Sequence, residues 1–367
     1  MSIRTGYSTR PLPEAVTELK RQAGADQPRV VMFFGSASYE AGTLSREMQR
    51  AFPDAVVVGC STAGEISGGK MLTGSVAALF LSEDIVADAA SVVVEHLHSD
   101  ASVGAALRML EDRLGSPVAS WDLATTVGLV LVDGLSGAEE RLMEKLGDAT
   151  DLVFVGGSAG DDLQFRRTYV LQQGQCYSDA AVLLVLRLKH GFDIVKTQSF
   201  VPAGKTLVAT KVDEAARTVI EFNGQPALDA YAEALGVTPG LAPSLFLQNP
   251  LGLMIEGEPF VRSPQRVDGS RIVFYCQIKE DTELELLRGT DIVSDTRMAV
   301  EACKAAAGGI RGLIDFQCIL RTLQLRQENR CDEYGGIFQG IPAVGFSTYG
   351  EAYLGHMNQT STMLLFR

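Results

Sequence analysis

Very little in this chain offers chemistry to the outside. Its 367 residues include six cysteines, Cys60, Cys176, Cys276, Cys303, Cys318 and Cys331, with no C-x-x-C pair among them. That scatter excludes a disulfide-stapled scaffold and argues against structural zinc. Histidine is scarce, with four residues, and tryptophan occurs once. No apolar run approaches the ~18 to 20 residues a membrane helix needs, the longest being near residues 127–132 and 181–186. Positive charge is in deficit: 32 Lys and Arg against 45 Asp and Glu leave −13 and no basic patch, which argues against nucleic acid and anionic lipid as partners. Residues 1–25 carry no apolar segment behind a basic start, so no secretory signal is read and the cytoplasm is the expected address. Prolines number 13, and 46% hydrophobic against 21% charged residues exclude disorder.

What is present is ordinary folding material. At ~150 residues per domain the length predicts about two domains. Residues 1–25 read as a strand and an amphipathic helix; apolar runs at 30–34 and 55–58 flank a helical pattern at 41–52. Strands at 75–81 and 85–97, with little between them, predict an antiparallel pair, followed by a helix at 102–114, a strand at 125–132, a helix at 138–146 and a strand at 152–155. Further strands are expected at 167–171, 180–188 and 194–200, then a turn at Val201-Pro202-Ala203-Gly204. Beyond it the pattern gives helices at 226–235, 292–307 and 319–328 and strands that include 244–248, 271–277, 283–287, 312–316, 343–346 and 361–366. The expected class is α/β to α+β, two domains with mixed β-sheets covered by helices, over residues 28–222 and 223–367.

One short pattern occurs twice: Gly59-Cys60-Ser61-Thr62-Ala63-Gly64-Glu65 and Gly345-Phe346-Ser347-Thr348-Tyr349-Gly350-Glu351. Each copy leaves an apolar strand, at the carboxyl end where open α/β sheets place their ligands. A degenerate third version is Gly157-Ser158-Ala159-Gly160-Asp161. Glycines let backbone approach a ligand, successive N–H groups suit an anion, and Glu65 or Glu351 could hold an ammonium, so the turns suit a zwitterion. They equally read as turns whose side chains cap backbone groups.

These residues resemble the FIST family. Gly59 to Glu65 and Phe154-Val155-Gly156-Gly157-Ser158-Ala159-Gly160-Asp161 match its amino-terminal region. Pro226-Ala227 with Tyr231, Cys318 with Arg321, Gly345-Phe346 with Thr348 and Gly350-Glu351, and Asn358-Gln359-Thr360 match its carboxy-terminal region. The resemblance implies a non-enzymatic sensory module that binds a small ligand, an amino acid or similar, and relays to a separate histidine kinase or a diguanylate cyclase or phosphodiesterase. The turns and the resemblance together nominate Ser61, Thr62, Gly64, Glu65, Ser158, Asp161, Arg321, Ser347, Thr348, Gly350, Glu351 and Asn358 as ligand-binding. Some family members are haem-binding nitric-oxide sensors, which makes His356 and His190 the candidate axial ligands. His96 and His98 are spaced to face one way on a strand, but no third metal ligand accompanies them. An enzyme with Cys60 or Cys318 as nucleophile is the remaining alternative; the second turn replaces Cys60 by Phe346, so the repeat does not preserve a thiol.

Overall fold

The computed structural model describes residues 3–25, 27–99 and 102–367. With 41% strand and 26% helix in mixed sheets the chain is of the α+β class. It divides into two compact units: residues 1–197, 296–356 and 361–367 form the first, residues 198–295 and 357–360 the second. The larger part of the second unit, residues 198–295, is thus inserted within the chain of the first.

The first unit is one motif used three times. Its first copy runs β1 (Ile3–Ser8), α1 (Glu14–Ala23), β2 (Val30–Ser36), α2 (Ala41–Ala51), β3 (Val56–Thr62), the hairpin β4 (Glu65–Ser67) and β5 (Lys70–Leu72), and β6 (Val76–Leu81). The second repeats the order with β7 (Val86–Glu95), α3 (Val103–Leu114), β8 (Thr126–Val132), α4 (Glu139–Ala149), β9 (Phe154–Ser158), β10 (Val170–Gln172), β11 (Gln175–Tyr177) and β12 (Ala180–Leu188). The third opens with β13 (Phe192–Gln198) and is interrupted by the second unit. That unit holds β14 (Phe200–Asp213), β15 (Thr218–Phe222), β16 (Gln225–Pro226), α5 (Ala227–Leu235), β17 (Leu251–Ile255), β18 (Glu258–Arg262), β19 (Pro264–Asp268), β20 (Arg271–Phe274) and β21 (Glu283–Gly289). The third copy resumes with α6 (Ile292–Ala307), β22 (Gly312–Cys318), α7 (Ile319–Gln327), α8 (Cys331–Gly335), β23 (Ala343–Thr348), β24 (Glu351–Tyr353), β25 (His356–Met357) and β26 (Thr360–Phe366).

Each copy builds a sheet and gives its hairpin away. The three strand orders are β1-β6-β2-β3-β10-β11, β7-β12-β8-β9-β24-β25 and β13-β26-β22-β23-β4-β5. In all three the two central strands are parallel (β2 with β3, β8 with β9, β22 with β23) and are followed by a hairpin borrowed from another copy. The parallel strands read as unbroken apolar runs, Val30 to Phe34 and Val127 to Val132, because both faces are covered. One core, including Met32, Phe34, Val58, Leu129, Leu184, Phe316, Phe346 and Leu364, draws on all three sheets. α1 and α2 close the outer face of the first sheet through Leu19, Leu44 and Met48. α3 and α4 close that of the second through Leu107, Leu110, Leu142 and Leu146. α3 shows why the sequence folds this way locally: Val103, Ala106, Leu107, Leu110 and Leu114 share one face, the Ser102 hydroxyl accepts from the Ala105 N–H at 3.0 Å, and Gly115 ends the helix in the left-handed region.

Four expectations are corrected. β6 and β7 do not pair: β6 lies between β1 and β2, while β7 joins β12 in the second sheet, so the loop between them is a change of sheet. The chain does not turn at 201–204 but continues as β14 through a bulge between Pro202 and Thr206. There the Glu285 carboxylate accepts from the N–H groups of Gly204 (2.8 Å) and Lys205 (3.1 Å) and from the Thr206 hydroxyl, replacing the ladder bonds lost in the bulge. The 244–248 segment holds the end of a 3-10 turn, Ala242–Leu245, with Pro243 near its start, rather than a strand. His96 and His98 lie beyond the end of β7, so strand alternation does not orient them. No helix among the described residues is long and apolar enough to cross a membrane.

Candidate functional site

The repeated turns are the places where the chain changes sheet. The first leaves β3 for β4 in the third sheet, the second leaves β23 for β24 in the second sheet, and the Gly156 to Asp161 segment leaves β9 on its way to β10 in the first. The three meet. Ala63 N donates to Ser347 O (3.3 Å), Tyr349 N to Ser158 O (3.2 Å) and Gly160 N to Ser61 O (2.9 Å), which closes a ring of equivalent bonds. Return bonds run from Ser347 N to Gly64 O (2.7 Å) and from Ser158 N to Gly350 O (2.8 Å). The third return bond runs from Ser61 N to Tyr169 O (3.0 Å).

This geometry explains the leading glycine of each copy. A Cβ on Gly59, Gly345 or Gly156 would lie 2.2, 2.2 or 1.8 Å from the carbonyl oxygen of Phe33, Asp315 or Val130 on the parallel neighbour strand. At these positions glycine serves the close approach of protein backbone to protein backbone.

The turn side chains are buried and largely spent on one another. Glu65, 1% exposed, accepts from the hydroxyls of Thr62 and Ser75 and from Ser75 N at 3.1 Å. Burial pushes its carboxyl up to about 7, against those hydrogen bonds and with a smaller push from Asp162. The Ser347 and Thr322 hydroxyls pair at 2.8 Å, Thr348 Oγ1 donates to the main chain at 2.8 Å (Ser158 O or Gly350 O), and Ser158 Oγ donates to Glu139 at 3.2 Å. Glu351 is buried on β24 opposite Gly157. Gly350 leaves room for the buried His356 ring, whose Cε1 would stand 2.1 Å from a Cβ there.

The ring is broken in one place. Between Gly160 and Tyr169 the third crossing carries an extra loop, residues 161–168, where the other two carry a single residue before the hairpin. Asp161 gathers this loop: its carboxylate accepts from Tyr349 OH (2.6 Å) and from the N–H groups of Phe165 (2.8 Å), Arg166 (2.6 Å) and Arg167 (2.9 Å). Burial alone would raise its titration, but these donors outweigh it and hold the carboxyl below its ordinary value. Asp162, Leu163 and Phe165 take left-handed φ values of 53°, 64° and 51°, a strain that side-chain-bearing residues rarely carry three at a time. Phe165, 54% exposed, stacks on Tyr349 at 5.0 Å between ring centroids.

Beside this loop lies a cavity of about 170 Å³ lined by Ala37, Tyr39, Ala41, Ser61, Asp161, Gln164, Arg166, Arg167 and Tyr169. It sits at the carboxyl ends of the parallel strands β2 and β3 and next to the first residue of α2, the place where such sheets hold ligands. Ser61 Oγ accepts from Tyr169 N at 2.9 Å and, among the described residues, donates to no protein acceptor, so its proton is available to a ligand. Arg166, Arg167 and the Ser61 hydroxyl line it together with Asp161, whose carboxylate is already held by the loop N–H groups, and the space is smaller than the ~300 to 1,000 Å³ of drug-sized pockets.

Of the residues nominated from sequence, Ser61 and Asp161 line this cavity. Thr62, Gly64, Glu65, Ser158, Ser347, Thr348, Gly350 and Glu351 belong to the crossing around it. Arg321 is elsewhere in the first unit, 1% exposed, donating to Gln317 Oε1 (3.0 Å) and Thr296 Oγ1 (2.7 Å). Near it Asp315 accepts from Ser361 Oγ (2.7 Å) and Tyr334 OH (2.9 Å), and burial pushes its carboxyl up to about 6. Asn358 is buried and falls in the segment grouped with the second unit. His190 stands exposed on the turn between β12 and β13, and neither it nor His356 lines this cavity. His96 and His98 are exposed and approach Asp179 at 4.0 and 3.7 Å, but no group of three such residues with metal-holding geometry occurs among the described residues. Cys60 is buried and its thiol is pushed well up, first by burial and then by Glu65, the opposite of an activated nucleophile; Cys318 is also buried.

Sequence reasoning missed Arg166, Arg167, Tyr169 and Tyr349. The signal was available in the spacing, because superposing the three turns exposes the extra loop and the Arg-Arg pair inside it.

A family model described as the FIST N domain matches residues 29–225, and one described as the FIST C domain matches residues 227–353. A stretch of 195 residues is 27% identical to an uncharacterized protein of Methanocaldococcus jannaschii, covering 49% of this chain and 38% of that protein, so the match spans well under half of the relative. FIST domains are associated with small-ligand sensing in signal transduction. With the two models adjoining in the order N then C and covering most of its length, the chain belongs to the FIST family.

Proposed function

We propose that this chain is a non-enzymatic sensor that takes a small carboxylate ligand, an amino acid or a compound of similar size, in the cavity between α2 and the 161–168 loop, and passes the bound state to a separate kinase or cyclase. The cavity itself carries the reading: it opens at strand carboxyl ends, at the one crossing where the threefold pattern is broken, with Ser61, Arg166 and Arg167 at its wall. The ligand carboxylate accepts from Ser61 and the guanidinium groups, and the strained loop gains the contacts that an empty cavity denies it. A shift of that loop, which also displays Phe165, is the event a partner would read.

The test is a thermal-shift and calorimetric screen of amino acids and short carboxylic acids, comparing wild type with Ser61→Ala, Arg166→Ala/Arg167→Ala and Ser347→Ala. Ligand bound to the folded state stabilises it by RT ln(1 + [L]/Kd). A ligand that stabilises wild type and Ser347→Ala but neither of the other variants supports the proposal. A ligand unaffected by the cavity variants overturns it, as does a saturable Soret band on haemin titration that disappears in His356→Ala.

A further inference from the structure

A second depression lies in the first unit, away from the crossing. It is a groove of about 660 Å³ between the carboxyl end of α4, residues 147–154 and the tip of the β24–β25 hairpin. Its floor is formed by the buried core side chains Met143, Leu146, Leu152 and Phe154, Leu354 is its exposed apolar side chain, and its rim holds the exposed carboxylates Glu144, Asp148 and Asp151; no Lys, Arg or His is among the residues that line it.

Two local features cost stability at this spot. α4 ends with no basic residue in its last turn and with Asp148 there instead, so the negative end of the helix dipole meets a like charge. Leu354 holds a left-handed φ of 54° and is 71% exposed, so a bulky apolar side chain is presented to water on backbone that disfavours it. Both features fall on one groove, and an apolar, positively charged segment lying in it would take the leucine side chain out of water and offset the like charge at the helix end.

We infer that this groove is a docking surface for a basic amphipathic helix of a signalling partner. Leucine-like anchors at i, i+3 or i+4 and i+7 enter beside Leu354, while lysines or arginines meet Glu144, Asp148, Asp151 and the end of α4. The charge of the rim selects this occupant over an acidic or neutral helix.

The probe is a fluorescein-labelled, helix-stapled peptide of leucine and lysine with leucines at that spacing, and its control has glutamate in place of lysine. Fluorescence anisotropy on the full chain is expected to show saturable one-to-one binding of the lysine peptide alone, weakening between about 0.05 and 0.3 M salt as rim charges are screened. Leu354→Asn, which suits the left-handed backbone and leaves the fold intact, is expected to raise Kd at least tenfold with no loss of thermal stability. Asp148→Asn/Asp151→Asn is expected to weaken binding several-fold and flatten the salt dependence. Equal binding of the two peptides, equal binding by wild type and Leu354→Asn, or no saturable binding overturns the inference. So does a sedimentation shift from dimer to monomer in Leu354→Asn, which would give the groove to a second copy of the chain.

Discussion

The crossings at Gly345–Glu351 and at Gly156–Asp161 hand the chain between sheets with the same close-packed glycine, yet the second carries an added loop with a cavity beside it. At the first, Ser347 and Thr322 satisfy each other, and the hairpin follows at once. At the second, an added loop draws in Tyr349 from the neighbouring crossing and opens a cavity against Ser61. The motif that recurs is the one that holds the sheets together; the cavity comes with the loop that does not recur, set against Ser61 of the recurring motif.

That contrast can be broken most severely at the glycines. Gly156→Ala drives a methyl into the Val130 carbonyl, and Gly59→Ala and Gly345→Ala do the same on their strands; each is expected to cost more than about 4 kcal/mol, read as loss of the folded fraction in urea. If any of the three is tolerated, the crossings are not equivalent.

The next effect is on pH. Glu65 and Asp315 both titrate higher in the folded chain than in the unfolded one, so their contribution is fullest below the unfolded values near 4.5 and 3.8 and is lost as pH rises through about 7 and about 6. Stability is expected to fall by up to about 3 kcal/mol from Glu65 alone between pH 4.5 and 8. Glu65→Gln should flatten that slope in urea titrations run at several pH values.

Smaller still is the serine pair. Ser347→Ala should cost about 1 kcal/mol and leave ligand affinity unchanged, whereas Ser61→Ala should cost a similar amount and weaken the ligand at least tenfold. Equal ligand effects would mean that the two crossings share the site. The weakest change is in the loop: Leu163→Asn, which suits the left-handed φ of 64° there, should raise stability by about 0.5 kcal/mol in thermal melts.

Most individual elements were legible from the sequence because their signals are local. The face formed by Val103, Ala106, Leu107, Leu110 and Leu114 needs only helical spacing, and Val30 to Phe34 needs only an unbroken apolar run. Partnership was not legible. Nothing near β6 or β7 says that they enter different sheets, and the bulge in β14 depends on Glu285, a residue far along the chain. The turns were found because glycine, serine, threonine and glutamate recur at fixed spacing. Their meaning was read toward a ligand, because the carbonyls of Phe33, Asp315 and Val130, which exclude any side chain there, become neighbours only when parallel strands form. Arg166 and Arg167 escaped for the converse reason, lying in a stretch with no counterpart in the other copies.

The giving away of hairpins also governs how the first unit is made. β4 and β5 leave the ribosome early, but β23, with which β4 pairs, follows about 280 residues later, after residues 198–295 of the second unit have emerged. Contacts so distant in sequence make closure of the third sheet a late and slow event. Until then an unpaired hairpin and an open sheet edge stand exposed, a window in which a chaperone, or the matching hairpin of a neighbouring nascent chain, can intervene. The first sheet, whose six strands all lie within residues 3–177, can close early, whereas the second waits for β24 and β25 and the third for β26, so the three sheets of this unit are completed in sequence order.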